Sequence, residues 1–196
     1  MSLIKLIEHF AHIEELPIEI DEIRGAILDL GIQDGIKIAG RSADPAKVWG
    51  AFYQYTTHAA VYAQPDFHTL IVYNEKLPIP WQRVVCCKEL VHIFDRAEER
   101  TSSVEAVAAL TAKLLGPMSS DDFGYDDIMA LKDKTALYEC LPLLFPQAAR
   151  EKARLAIEEG RHTIKSISES ASLPVPFVDL ILSDAWPSLI ASFLTD

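Results

Sequence analysis

The run Lys88-Glu89-Leu90-Val91-His92 is the part of this chain whose residue types and spacing bear most directly on chemistry. On a helix, residues at i and i+4 share a face. Two histidines at that spacing hold a zinc ion, and a glutamate directly after the first polarises the attacking water. Here Glu89 stands in the place of the general base and His92 in the place of the second ligand. Lys88 stands where the first histidine belongs. Glu89 is therefore read as a vestigial general base and His92 as a vestigial metal ligand. The competing account is an ordinary amphipathic helix, with Lys88 and Glu89 solvated and His92 half-buried.

The surrounding pattern says what must position these residues. Apolar spacing predicts helices over 3–14 and 19–31, separated at Pro17, with a loop or short strand through Gly35 and Gly40. Aromatic and β-branched runs at 48–56, 59–63 and 68–73, punctuated by Gln64-Pro65-Asp66, predict about three antiparallel strands. Pro80 suits the first turn of a helix running to about Phe94. Further helices are expected over 103–116, 126–144 with a bend at Pro142, 147–159, 163–171 and 176–184, before an apolar tail from Trp186 to Leu194. The expected class is α+β: mostly helical, with a small antiparallel sheet packed on the motif helix. No repeat or linker divides the chain, so one domain is expected. Its parts are N-terminal helices (1–45), a sheet with the motif helices (46–117) and C-terminal helices (118–196).

This order of strand, proline-containing loop, KExxH helix and the later helix Val104-Glu105-Ala106-Val107-Ala108-Ala109-Leu110-Thr111-Ala112-Lys113-Leu114-Leu115-Gly116-Pro117 resembles the ImmA/IrrE family of zinc metallopeptidase-like proteins. The segment Ile167 to Val178 is similar to that family's short helix pair. The resemblance covers roughly residues 45–185 and rests on order and spacing more than on identical residues. It implies a zincin-like fold, a bacterial or prophage setting and a regulatory role. It also implies a sheet that edges the substrate groove, where an extended peptide adds as a strand. The family's later helix supplies an acidic third ligand. Here its acidic positions fall near Val104 and Ala106, and the nearby acid is Glu105.

Lys88 weighs against zinc. An ammonium beside a dication is repelled, and lysine ligates only when neutral. The same ammonium can substitute for the metal by pairing with Glu105, Glu98 or Asp95. The expectation is a zinc-free, degenerate metallopeptidase-like protein that binds a peptide or protein partner, with no cofactor. One alternative is an active zinc peptidase completed by Asp95, Glu105, Cys87 or a sheet histidine. Another is a structural helical domain in which the motif is accidental.

The rest of the sequence mostly excludes. Hydrophobic residues make up 49% and charged residues 24%, which is a globular balance rather than a disordered one. No apolar run approaches the roughly 20 residues of a membrane span, and Glu8, Glu14 and Glu15 interrupt any leader-like stretch. A net charge of -11 opposes nucleic acid and anionic lipid, so neither nucleic acid nor membrane is an expected partner. Cys86, Cys87 and Cys140 read as small buried hydrophobes of a reduced, cytoplasmic protein. His58 and His68, with Tyr53, Tyr55, Tyr62 and Tyr73, line the expected sheet, and His68 and Tyr73 are the groove candidates. Asp121, Asp122, Asp126 and Asp127 lack the spacing of a calcium loop. The second helix of the 163–184 pair carries two acids and no base, so it is expected to pack rather than read DNA.

Overall fold

The computed structural model describes residues 2–46, 48–57, 66–95 and 125–194. Helices α1 (Leu3–Phe10) and α2 (Ile20–Asp29) lead into strand β1 (Gly35–Arg41). Strands β2 (Gly50–Thr57) and β3 (Asp66–Asn74) follow, then helix α3 (Ile79–Val91), which tightens into a 3-10 turn at His92–Phe94. The C-terminal part holds α4 (Tyr125–Glu139), α5 (Leu141–Leu144), α6 (Gln147–Glu158), α7 (Ile164–Ala171), α8 (Val175–Leu182) and α9 (Trp186–Phe193). The chain is α+β and mostly helical, with one three-stranded sheet. The expected helix 103–116 and strand 59–63 lie outside the described residues, as do Asp121 and Asp122, whereas Asp126 and Asp127 fall in the first turn of α4.

The sheet has the order β1-β3-β2. β2 pairs antiparallel with β3, whereas β1 pairs parallel with it, so the sheet is mixed rather than wholly antiparallel. β1 also brings residues from the N-terminal part into the sheet. The reason is topological. β2 and β3 run in opposite directions side by side, while β1 reaches the far edge of β3 by passing over β2 in sequence. The segment 126–144 is divided into α4 and α5 at Cys140, with Pro142 in the first turn of α5.

Paired residues share a face, and successive residues alternate between faces. Ile36, Ile38, Phe52, Thr69 and Ile71 therefore form one side. Phe52, Thr69 and Ile71 on it are buried, with Ile71 fully so. This side carries α3, and Gly50 marks the closest approach. A Cβ there would lie 2.3 Å from Val85 Cγ1 and 2.9 Å from Glu89 Oε1. Only a residue without a side chain lets the helix pack this near the strand.

α3 is the central helix. Val84, Val85, Cys86, Cys87, Glu89, Leu90 and Val91 are all buried, which is the pattern of a helix covered on more than one side. The sheet lies along one side and α4 along another. Cys86, Cys87 and Cys140 are buried and free, and Cys87 Sγ donates to Cys140 O at 3.6 Å, at the junction of α4 and α5. Burial pushes the Cys86 thiol up to about 12, so it stays protonated and inert. One buried apolar cluster runs from Leu6 to Trp186.

The C-terminal helices are held by specific caps. Thr163 and Ser166 form a reciprocal capping box at the start of α7. Ser172 adopts the left-handed conformation that ends it. Arg150 donates from Nε to Ile181 O at 2.7 Å and from Nη2 to Ser183 O at 2.9 Å, covering carbonyls at the end of α8. Among the described residues no single helix is long and apolar enough to cross a membrane.

Candidate functional site

The motif residues meet at the end of α3, between the sheet and α4. Glu89 follows Val85 by one turn, on the side facing Gly50 of β2. His92 lies just past the helix end, its ring 6.0 Å from that of Phe52. From the other side, α4 brings Asp133. It lies seven residues before Cys140 and three before Ala136, both buried, so it shares their inward stripe.

Lys88 reaches into this gap. Its Nζ hydrogen-bonds Asp133 Oδ1 and lies 3.0 Å from Glu89 Oε1. The latter is an ion-pair distance, but no donor is aligned on Oε1, which is fully buried. His92 is held at both nitrogens, with Nδ1 2.7 Å from Asp95 Oδ2 and Nε2 3.4 Å from Asp133 Oδ1. Lys132 Nζ lies 3.9 Å from Asp95 Oδ1. The side chains of Lys88, Glu89, His92 and Asp133 are between 3% and 15% exposed.

Burial disfavours every one of these charges, and their neighbours decide the outcome. For Lys88, desolvation acts to lower the pKa, but Glu89 and Asp133 more than reverse it and hold the ammonium above the usual lysine range. For His92, burial is likewise outweighed by its hydrogen bonds to Asp133 and Asp95, which raise it to about 9. Both ring nitrogens then donate. Asp133 is held well below the usual carboxylate range, because His92 and Lys88 overcome its desolvation. Glu89 moves the other way: burial raises it, and Lys88 only partly offsets that. Burial also raises Glu139, aided by the charge of Asp95.

Zinc of the kind implied by the motif does not fit these residues as they stand. Glu89, His92 and Asp133 each offer a donor atom, all within 4.8 Å of one another. The lysine ammonium already lies against both acids, and a dication among the same atoms would meet a like charge at a few ångströms.

The sequence candidates separate accordingly. Glu89 and His92 come together, as their spacing implied. Asp95 holds the far nitrogen of His92 and does not face Asp133's side of the ring. Lys88 finds its partners in Asp133 and Glu89; Glu98 and Glu105 lie outside the described residues, as do His58 and Tyr62. Cys87 packs behind the site against Cys140. Tyr73 is on the helix-facing side of the sheet, in register with Gly50. His68 is on the opposite face, stacked on Tyr55 at 5.2 Å with Nε2 2.9 Å from Thr57 Oγ1, and does not join His92. His68, one of the two groove candidates, therefore lies on the face of the sheet away from α3 and His92.

Asp133 was missed. Its sequence signal was a lone acid on the stripe of Ala136 and Cys140, disguised by Lys132 and Lys134 on either side. No family model, curated protein or solved structure matches this chain.

Proposed function

We propose that this chain is a degenerate metallopeptidase-like domain of the ImmA/IrrE kind, in which the Lys88 ammonium takes the place of the catalytic cation and the protein binds a peptide or protein partner without cleaving it. The observation that carries this reading is the position of Lys88 Nζ, against Asp133 and Glu89 and beside His92. It is supported over an accidental motif by the convergence of Glu89 and His92 on β2, where Gly50 leaves room for the Glu89 carboxylate. It is supported over an active peptidase by energetics. Water bound to zinc has a pKa of about 7, against about 15.7 in bulk, and losing that activation costs on the order of 12 kcal/mol. An ammonium at the same place binds no water as a Lewis acid and restores none of it.

A reading as an active zinc enzyme draws on one observation, the three donor atoms within 4.8 Å. It requires Lys88 to leave both acids that hold it charged. Incubating the full chain with a mixture of unstructured peptides, with and without added zinc, tests the choice. The expected result is intact peptides in both. Zinc-dependent cleavage abolished by Glu89→Gln would overturn the proposal.

A further inference from the structure

Three features of the site exceed what an internal ion pair needs. First, Asp95 holds His92 Nδ1 at 2.7 Å, leaving Nε2 facing Asp133. A carboxylate on the far nitrogen is how metal-bound histidines are oriented. Second, Nε2 and Asp133 Oδ1 are 3.4 Å apart. In a tetrahedral site with bonds of about 2.0–2.2 Å, two ligand atoms are separated by roughly 3.3–3.5 Å. Third, Glu89 is 2% exposed, and its Oε1 is met by the Lys88 ammonium at 3.0 Å without an aligned hydrogen bond, while Gly50 keeps open the space that this oxygen faces.

We infer that Glu89, His92 and Asp133 form a latent site for a transition-metal dication, such as zinc or cobalt(II), which the Lys88 ammonium keeps closed. The inference rests on the reading of Lys88 as a stand-in cation and goes beyond it by naming the ligands. They are not the i, i+4 pair that the motif implies: Glu89 serves as a ligand rather than a base, and Asp133 comes from α4. One imidazole and two carboxylates suit zinc and cobalt(II), and three protein ligands would leave a fourth coordination position for water. Lys88 supplies one positive charge where a dication supplies two, so the two cations compete for the same acids and do not share them.

The test titrates cobalt(II) into the full-length protein and follows the visible bands of four-coordinate cobalt. The unmodified chain is expected to bind no more than weakly. Lys88→Met, which keeps most of the length of the side chain and removes its charge, is expected to bind one cobalt per chain at least a hundredfold more tightly. Adding His92→Ala to Lys88→Met should abolish that binding. If Lys88→Met folds only when metal is present, metal-dependent recovery of its circular dichroism is the same result. Lys88→Gln, which retains a donor for Asp133, is measured in parallel in case Lys88→Met fails to fold. The inference is overturned if a folded Lys88 variant binds cobalt no better than the unmodified chain. It is also overturned if the added His92→Ala leaves binding intact, or if neither variant folds even with metal. None of these failures touches the proposed absence of peptidase activity, which is measured on the unmodified chain.

Discussion

Two histidines of this chain lie on opposite faces of the same small sheet, and they differ in almost everything but residue type. His92 is next to the buried face, between Asp95 and Asp133, with Lys88 and Glu89 beside it. His68 is on the other face, where Tyr53, Tyr55 and His68 stack in a row at 5.8 and 5.2 Å and a threonine hydroxyl is the polar neighbour. Both are paired, but only His92 is paired with charge away from water. Low dielectric multiplies the worth of each contact and the cost of losing it. The comparison teaches that the chemistry follows from which acids a helix and a distant helix bring to the ring, and not from the histidine.

The sharpest way to break this contrast is to remove the acid that the first histidine has and the second lacks. Asp133→Ala leaves the Lys88 ammonium buried with Glu89 alone and deprives His92 Nε2 of its acceptor. Stranding a buried charge costs about 3–5 kcal/mol, and urea denaturation should read a loss of that order. His68→Ala, on the open face, should cost less than about 1 kcal/mol. Equal losses would mean that the charged cluster is no more than a surface feature.

Alkaline pH should do more gently what Asp133→Ala does abruptly. The folded-state value of His92, about 9, lies above the ordinary 6.5. Its contribution is therefore fully present below pH 6.5 and is lost as pH rises through 9. The groups facing it are Asp95, Asp133, Glu89, Lys88, Lys132 and Glu139. The size of the effect is on the order of 3 kcal/mol. Stability measured across this range should fall for the unmodified chain and stay flatter for His92→Gln. A fall of the same size in both would assign the slope to another group.

These two expectations depend on Asp133, and Asp133 shows where the sequence stops being legible. α3 was readable because Pro80 marks its start and apolar residues fill it. Glu89 and His92 were readable because their spacing is local. Lys88 and Asp133 are 45 residues apart, and no local pattern links them. The charged neighbours Lys132 and Lys134 made the segment look like a solvated face. β1 was ambiguous for a related reason. Its alternation is short and bracketed by Gly35 and Gly40, and its partner β3 comes some thirty residues later. That the pairing is parallel depends on where β2 lies, which no residue in β1 encodes. His68 was placed by proximity in sequence to the other strand residues, when the period of two had already put it on the other side from Ile71.

A smaller effect should follow from closing the space at Gly50. Gly50→Ala places a methyl group against Val85 Cγ1 and Glu89 Oε1. Overpacking of this kind costs about 1–3 kcal/mol, and it should move Glu89 relative to Lys88. Chemical-shift changes at Lys88 and His92, with none at His68, are the expected signature. The smallest effect belongs to the open face: Tyr55→Ala removes two partly exposed stacked contacts worth about 0.5 kcal/mol each, and no signal from His92 should change.

The central claim is that Lys88 already supplies the cation this site requires. Equilibrium dialysis of the unmodified full-length protein against zinc, followed by elemental analysis, measures it directly. The account predicts a zinc content far below one per chain at neutral pH. One zinc per chain, lost on His92→Ala, would contradict it.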